Sequence, residues 1–141
     1  MSETSPEDIA AAIVDAAYHL HREIGPGLLE AVYDTILAKE LERRGFRAAR
    51  PLPVSLDYNG MKFRNVCRVD LLVEGQVVVE IKSVERLAPV HLKQLLTYLR
   101  LLKLPIGLLI NFGAPTLKEG LRRVVNGLVP SASSRLRVNQ R

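Results

Sequence analysis

Ile9, Ile13, Ala16, Leu20 and Ile24 recur every three or four residues, the period of one helical face. Ser5-Pro6-Glu7-Asp8 precedes them with a capping hydroxyl, a proline suited to the first helical position, and acids that favour the positive end of the helix dipole. An amphipathic helix is predicted. Gly25-Pro26-Gly27 ends it, and a second helical pattern over residues 28–44 turns Leu29, Val32, Ile36, Leu37 and Leu41 inward before Gly45 stops it. The period then changes. Val54, Leu56 and Tyr58 alternate with polar residues as far as Asn59-Gly60, and Met61 and Phe63 resume the alternation, which predicts a tight hairpin. Residues 66–73 and 77–81 read as two further strands around Glu74-Gly75-Gln76.

Pro89 opens a third helical pattern, with Leu92, Leu95, Leu96, Leu99 and Leu102 facing the core and Pro105 as its stop. The nearly continuous apolar run over residues 106–112 suits a strand buried on both faces, so strand, helix and strand form a β-α-β crossover. Thr116 and Glu119 make a capping box for a last helix through Leu121, Val124 and Leu128. The predicted order is α-α-β-β-β-α-β-α, an α/β fold with a mixed sheet flanked by helices. Residues 1–129 read as one domain, and residues 130–141 as a flexible, basic, Ser-rich tail.

Composition narrows the class. With 141 residues and 48% apolar content, the chain has enough for one ordinary core. The single cysteine, Cys67, lies in a strand pattern, so it makes no intramolecular disulfide and suggests neither a zinc site nor a secreted scaffold. A reducing cytoplasm is expected. The first residues are acidic, unlike a signal peptide, and Arg100 and Lys103 interrupt the longest leucine-rich stretch, so no membrane span is expected. Of the net charge of +5, Arg135, Arg137 and Arg141 supply three units, so overall basicity is a weak argument for nucleic acid. No aromatic-rich recognition patch, helix-turn-helix pattern or zinc motif is evident. His19, His21 and His91 lie on predicted helices, where structural or surface roles are the expectation, His91 being the least safe because it shares a face with Gln94 and Tyr98.

The candidate chemistry lies on two neighbouring strands, Arg68-Val69-Asp70-Leu71-Leu72 and Val77-Val78-Val79-Glu80-Ile81-Lys82. Alternation puts Glu80 and Lys82 on one face. Asp70 joins them if Val73 pairs with Val77 across a three-residue loop; a two-residue turn at Glu74-Gly75 opposes Asp70 with Val79 instead. Carboxylates are hard ligands suited to Mg²⁺ or Mn²⁺, which offset phosphate charge and activate water, and a lysine alongside could orient that water or stabilise developing negative charge. The plainer alternative is the solvent face of an amphipathic strand.

Asp70, nine intervening residues and Glu80-Ile81-Lys82 resemble the signature of the PD-(D/E)XK nuclease superfamily, with its restriction-endonuclease-like fold. Gly27-Leu28-Leu29-Glu30-Ala31-Val32-Tyr33 resembles the motif of the GxxExxY family within it. The resemblance implies Asp70 and Glu80 as metal ligands, the Ile81 carbonyl as a further ligand, Lys82 as catalytic lysine, and Glu30 as the helix-borne acid of exonuclease-like branches. Gln94 and Tyr98 match a Gln-x-x-x-Tyr motif of RecB-type relatives, and Tyr33 belongs to the GxxExxY motif; both are expected to bind substrate or support the site. Val69 stands where the superfamily motif has proline. The implied function is a Mg²⁺-dependent nuclease, with Mn²⁺ as substitute, acting on DNA with RNA not excluded. The alternatives are a catalytically silent nucleic-acid-binding module or accessory subunit of a larger nucleic-acid-processing complex, and a homo-oligomeric structural or regulatory protein whose acids are surface charge. By themselves, Glu30 reads as a helix-dipole acid, Tyr33 as a half-buried aromatic with its hydroxyl reaching solvent, and Gln94 with Tyr98 as a polar helical stripe.

Overall fold

The computed structural model describes residues 4–127 and the backbone of Leu136–Gln140. The first helix, α1 (Pro6–Ile24), starts as its pattern predicts: the Ser5 hydroxyl accepts from the Asp8 N–H at 3.1 Å. The second, α2 (Glu30–Arg43), keeps Leu37 and Leu41 inward with Ile36 half-buried, as expected, but its N-terminal part turns differently. Tyr33, Leu37, Ala38 and Leu41 are buried, whereas Leu29 is 76% exposed and Val32 is also exposed. The Gly25-Pro26-Gly27 turn sets α2 at a rotation that substitutes Tyr33 for the flanking aliphatics.

A five-stranded mixed sheet forms the centre, in the order β1-β4-β5-β6-β7, from β1 (Ala48–Ala49), β4 (Leu71–Val73), β5 (Val77–Lys82), β6 (Ile106–Asn111) and β7 (Leu121–Val125). Strands β5 and β6 are parallel and joined through α3 (Pro89–Leu102), the predicted crossover; the other pairs are antiparallel. Alternation sorts the two faces. Val77, Val79 and Ile81 pack with α1 and α2, while Val78 packs with Leu95 and Leu99 of α3. The mixed sheet flanked by helices is the architecture expected of a restriction-endonuclease-like fold.

A second sheet, β3-β2-β8, is built on β2 (Leu52–Tyr58), β3 (Met61–Val69) and β8 (Leu136–Gln140). The predicted hairpin turn holds, with Asn59 at φ 51° and Gly60 at φ 82°, both left-handed as a tight two-residue turn requires. The strand expected over residues 66–73 is divided. Up to Val69 it pairs with β2, and from Leu71 it pairs with β5, so the chain passes between sheets at Asp70. The tail expected over residues 130–141 falls outside the described residues as far as 135; Leu136–Gln140 runs antiparallel to β2.

The last predicted helix is corrected to a single turn, α4 (Leu117–Gly120), followed by β7. The Thr116 cap forms, its hydroxyl accepting from the Glu119 N–H at 3.2 Å. At Gly120, however, the backbone lies so close to the Asn111 carbonyl that a Cβ has no room, and the chain leaves this contact extended. The next residues, including β-branched Val124 and Val125, complete β6 on its open side, from Ile110 opposite Leu121 to Ile106 opposite Val125. Leu128 lies outside the described residues. Among the described residues no helix is long and apolar enough to cross a membrane.

Candidate active site

The three-residue connection between β4 and β5 meets the register condition, and it is closed by a tight turn. The Gln76 N–H donates to the Val73 carbonyl at 3.0 Å, closing a tight turn over Glu74 and Gly75, both at positive φ. Gln76 is then an extra residue on one side, so Val73 pairs with Val77 and Leu71 with Val79. One step further, Asp70 faces Glu80.

There the side chains take over from the ladder. The Asp70 N–H donates to Glu80 Oε1 at 3.1 Å, and Asp70 Oδ2 accepts from the Ile81 N–H at 2.7 Å. Each carboxylate is thus anchored by the neighbouring strand through one oxygen; the second oxygen of each accepts no backbone hydrogen bond among the described residues. Glu80 is buried, 8% exposed, at the end of a sheet of valines and isoleucines. Burial, and then the Asp70 charge, push its carboxyl up to about 8. The Asp70 carboxyl is also raised, by burial and by the charges of Asp34 and Glu30, against the lowering effect of the Ile81 N–H and Lys82. The Lys82 ammonium favours the ionised form of both acids.

Glu30 opens α2, and its Oε2 accepts from the Ser83 N–H at 3.4 Å, which brings the helix to the end of β5. The Ser83 hydroxyl also donates to the Leu28 carbonyl at 2.5 Å, so the α1–α2 loop is tied to the residue after Lys82. Tyr98 of α3 is half-buried close to the acids: its phenol is raised by burial and by the charges of Glu80, Cys67 and Asp70. Gln94, one turn earlier, is exposed and makes no side-chain hydrogen bond to the acids among the described residues. Tyr33 is corrected from a half-buried position to full burial. Its ring stacks on Phe112 with centroids 4.5 Å apart, and its hydroxyl donates to the Gly25 carbonyl at 2.5 Å while accepting from the Leu28 N–H at 3.2 Å. It therefore cannot touch substrate and supports the loop ahead of Glu30.

Three neighbours were not foreseen. Asp34 lies one helical turn beyond Glu30, a spacing legible in the sequence; burial raises its carboxyl, and Arg50 stands 3.3 Å away. Ser83 carried no signal. Asn111 is a polar residue at the end of an otherwise apolar run, and its side chain brackets Val84, donating to the carbonyl at 2.9 Å and accepting from the N–H at 3.0 Å. Gly113 presses so close to Val84 that a Cβ would meet its nitrogen at 2.7 Å, so both residues fix the segment that leaves the site. The histidines are structural or surface groups: His19 lies 3.5 Å from Asp15, His21 bonds the Ala114 carbonyl at 2.8 Å, and His91 Nδ1 accepts from the Ala88 N–H at the start of α3.

Among the described residues, no three Asp, Glu, His or Cys side chains converge as a ready-made metal cage. The two anchored carboxylates nevertheless suit a hard divalent ion that keeps much of its water: each has one oxygen free of backbone hydrogen bonds, and a dication would relieve their mutual repulsion. The profile of the PD-(D/E)XK nuclease superfamily matches residues 7–124. No curated protein and no solved structure matches the chain.

Proposed function

The chain belongs to the PD-(D/E)XK nuclease superfamily, and from that premise we propose that it is a metal-dependent nuclease hydrolysing phosphodiester bonds of DNA. The observation that carries the proposal is the reciprocal anchoring of Asp70 and Glu80, two carboxylates forced together at the edge of an apolar core. Such a pair is costly without a cation and useful with one.

Asp70, Glu80, the Ile81 carbonyl and Glu30 would hold Mg²⁺, with Mn²⁺ as substitute. The bound ion would offset charge on the scissile phosphate and lower the pKa of a coordinated water. Lys82, on the same strand face as Glu80, stabilises negative charge developing on the phosphate oxygens. Tyr98 and Gln94 line the α3 side for substrate, and Tyr33 holds the Gly25–Leu28 loop so that Glu30 faces the strand end. The Gly27 to Tyr33 motif supports reading the chain as a GxxExxY protein within that superfamily.

Purified protein should cut DNA with Mg²⁺ or Mn²⁺ and lose that activity on Glu80→Ala while keeping its fold. Equal cleavage by the variant would assign the activity to a contaminant. A panel of single-stranded, double-stranded, branched and RNA substrates, run beside Lys82→Ala, distinguishes the substrate classes. One observation favours a second reading, a catalytically silent nucleic-acid-binding module: the absence of a convergent three-ligand cluster among the described residues. Binding that survives Asp70→Ala with Glu80→Ala, and no metal-dependent product from any substrate, would establish it.

A further inference from the structure

The β2–β3 hairpin leads away from the acids, and its two faces differ. Register places Leu52, Val54, Leu56, Tyr58, Met61, Phe63, Cys67 and Val69 on one face. Near the site this face is core: Val54 and Val69 are buried, and Leu52 packs with Leu95 and Leu99. Toward the tip it opens, leaving Phe63 46%, Met61 51% and Tyr58 38% exposed. Cys67 sits where the covered and open parts meet, close enough to Glu80 to feel its charge and close enough to Tyr98 to act on it. The apolar strip therefore starts beside the acids.

Strand β3 also carries Lys62, Arg64 and Arg68, all exposed, and no acid. None of the three pairs with a carboxylate within salt-bridge distance among the described residues, although Asp57 stands opposite Lys62 in the register. Among the described residues β3 is an edge strand with a ladder neighbour on one side only. Cations on an edge discourage strand pairing, but that role alone leaves the exposed Tyr58, Met61 and Phe63 unexplained. A second copy adding its own β3 there would set cations against cations.

We propose that this hairpin is a binding arm for an unpaired nucleic-acid strand, a reading that rests on the nuclease function above and names the substrate form. Unpaired bases stack on Phe63 and Tyr58, whose faces a duplex cannot engage because its own bases are already stacked. Lys62, Arg64 and Arg68, which alternate with these residues onto the hairpin's other face, reach round the open edge of β3 to the phosphates. At about 3.3 Å per residue, the arm reaches on the order of 25 Å from Asp70, enough to hold several nucleotides.

The test separates binding from cleavage. Fluorescence anisotropy with a labelled oligothymidylate of roughly 20 nucleotides, longer than common single-strand sites, is recorded in EDTA across a salt series. Combined Lys62→Ala, Arg64→Ala and Arg68→Ala should weaken binding at least about 10-fold and flatten the log–log salt slope by about 2, since each lost phosphate contact contributes about 0.7. Phe63→Ala should weaken it about 10-fold with the slope unchanged, the loss of one stacked base. Thermal melts must show both variants folded; Phe63→Leu serves if Phe63→Ala is not. Unaltered affinity and slope in both would overturn the arm even if Glu80→Ala abolishes cleavage. Binding lost in the arm variants, with no cleavage under any metal, would keep the arm and remove the nuclease. Preference for duplex, or loss of a dimer by light scattering without change in oligonucleotide binding, would also overturn the proposal.

Discussion

The Asp70 N–H donates to a Glu80 carboxylate oxygen at 3.1 Å, and the Asp70 carboxylate in turn accepts from the N–H of the residue after Glu80 at 2.7 Å. The pair is locked from both sides by backbone. Neither acid can rotate away from the other without giving up a charge-assisted hydrogen bond, so the repulsion between them is built into the fold.

Glu80→Gln should therefore stabilise the metal-free protein. The amide oxygen still accepts from the Asp70 N–H, while the cost of keeping the buried carboxyl protonated at neutral pH is gone. A rise in melting midpoint of roughly 3–8 °C is expected, the shift that about 1–2 kcal/mol brings in a domain of this size. Added Mg²⁺ should raise the wild-type midpoint and leave the variant's unchanged. Differential scanning calorimetry with and without Mg²⁺ checks both; a lower midpoint for the variant contradicts the argument.

The same pair sets a pH dependence. Burial and the Asp70 charge push the Glu80 carboxyl up to about 8 from an ordinary 4.5. Between those values the folded protein holds a proton that the unfolded chain has released, so folding takes up a proton and stability falls as pH rises. In EDTA the urea midpoint should decline from mildly acidic pH toward pH 8 and then level. A midpoint that climbs through this window refutes the assignment.

Tyr33→Phe removes both hydroxyl contacts of the α1–α2 loop while keeping the stack on Phe112. A loss of about 1–3 kcal/mol is expected, because the Gly25 carbonyl and the Leu28 N–H both lose a partner. If Glu30 serves the site, kcat should fall with it. Denaturant titration beside DNA cleavage measures the two, and wild-type stability would show that the loop holds itself.

Gly113→Ala tests the rear wall. The added methyl meets the Val84 backbone, and the Ser83-Val84 segment must shift. Overpacking of this kind costs about 1–3 kcal/mol. Amide exchange at Ser83 and Val84 should quicken more than exchange in α1; uniform change would indicate only a global loss of stability.

The helices and the crossover were legible because apolar residues were spaced to match one period and bounded by clear stops, Ser5-Pro6 and Gly25 for α1, Pro89 and Pro105 for α3. β7 was not. Thr116 and Glu119 do cap a helical turn, but what ends it after four residues is the contact of Gly120 with Asn111, which no local pattern reveals. Nor could alternation show that one apparent strand serves two sheets, since Arg68 to Leu72 reads continuously while its partners change at Asp70. Within the candidate site, Asp70 and Glu80 could be paired from register alone. Ser83 could not, because it acts through its backbone N–H and through a hydroxyl that reaches a distant loop.

The bulge at Gln76 carries one more consequence. Pairing of Val73 with Val77 keeps Leu71, Val73, Val77 and Val79 against α1 and α2, and a slip of one residue would turn one of these rows toward α3 and undo both hydrogen bonds that join Asp70 to β5. The connection itself therefore has no vote on which residues face each other. Removing Gln76 would leave an ordinary two-residue hairpin with both acids where they were, and a longer insert would loop out harmlessly. Length variation, whether by natural drift or by grafting a peptide tag, belongs at this turn, where the geometry of the two acids is insulated from it.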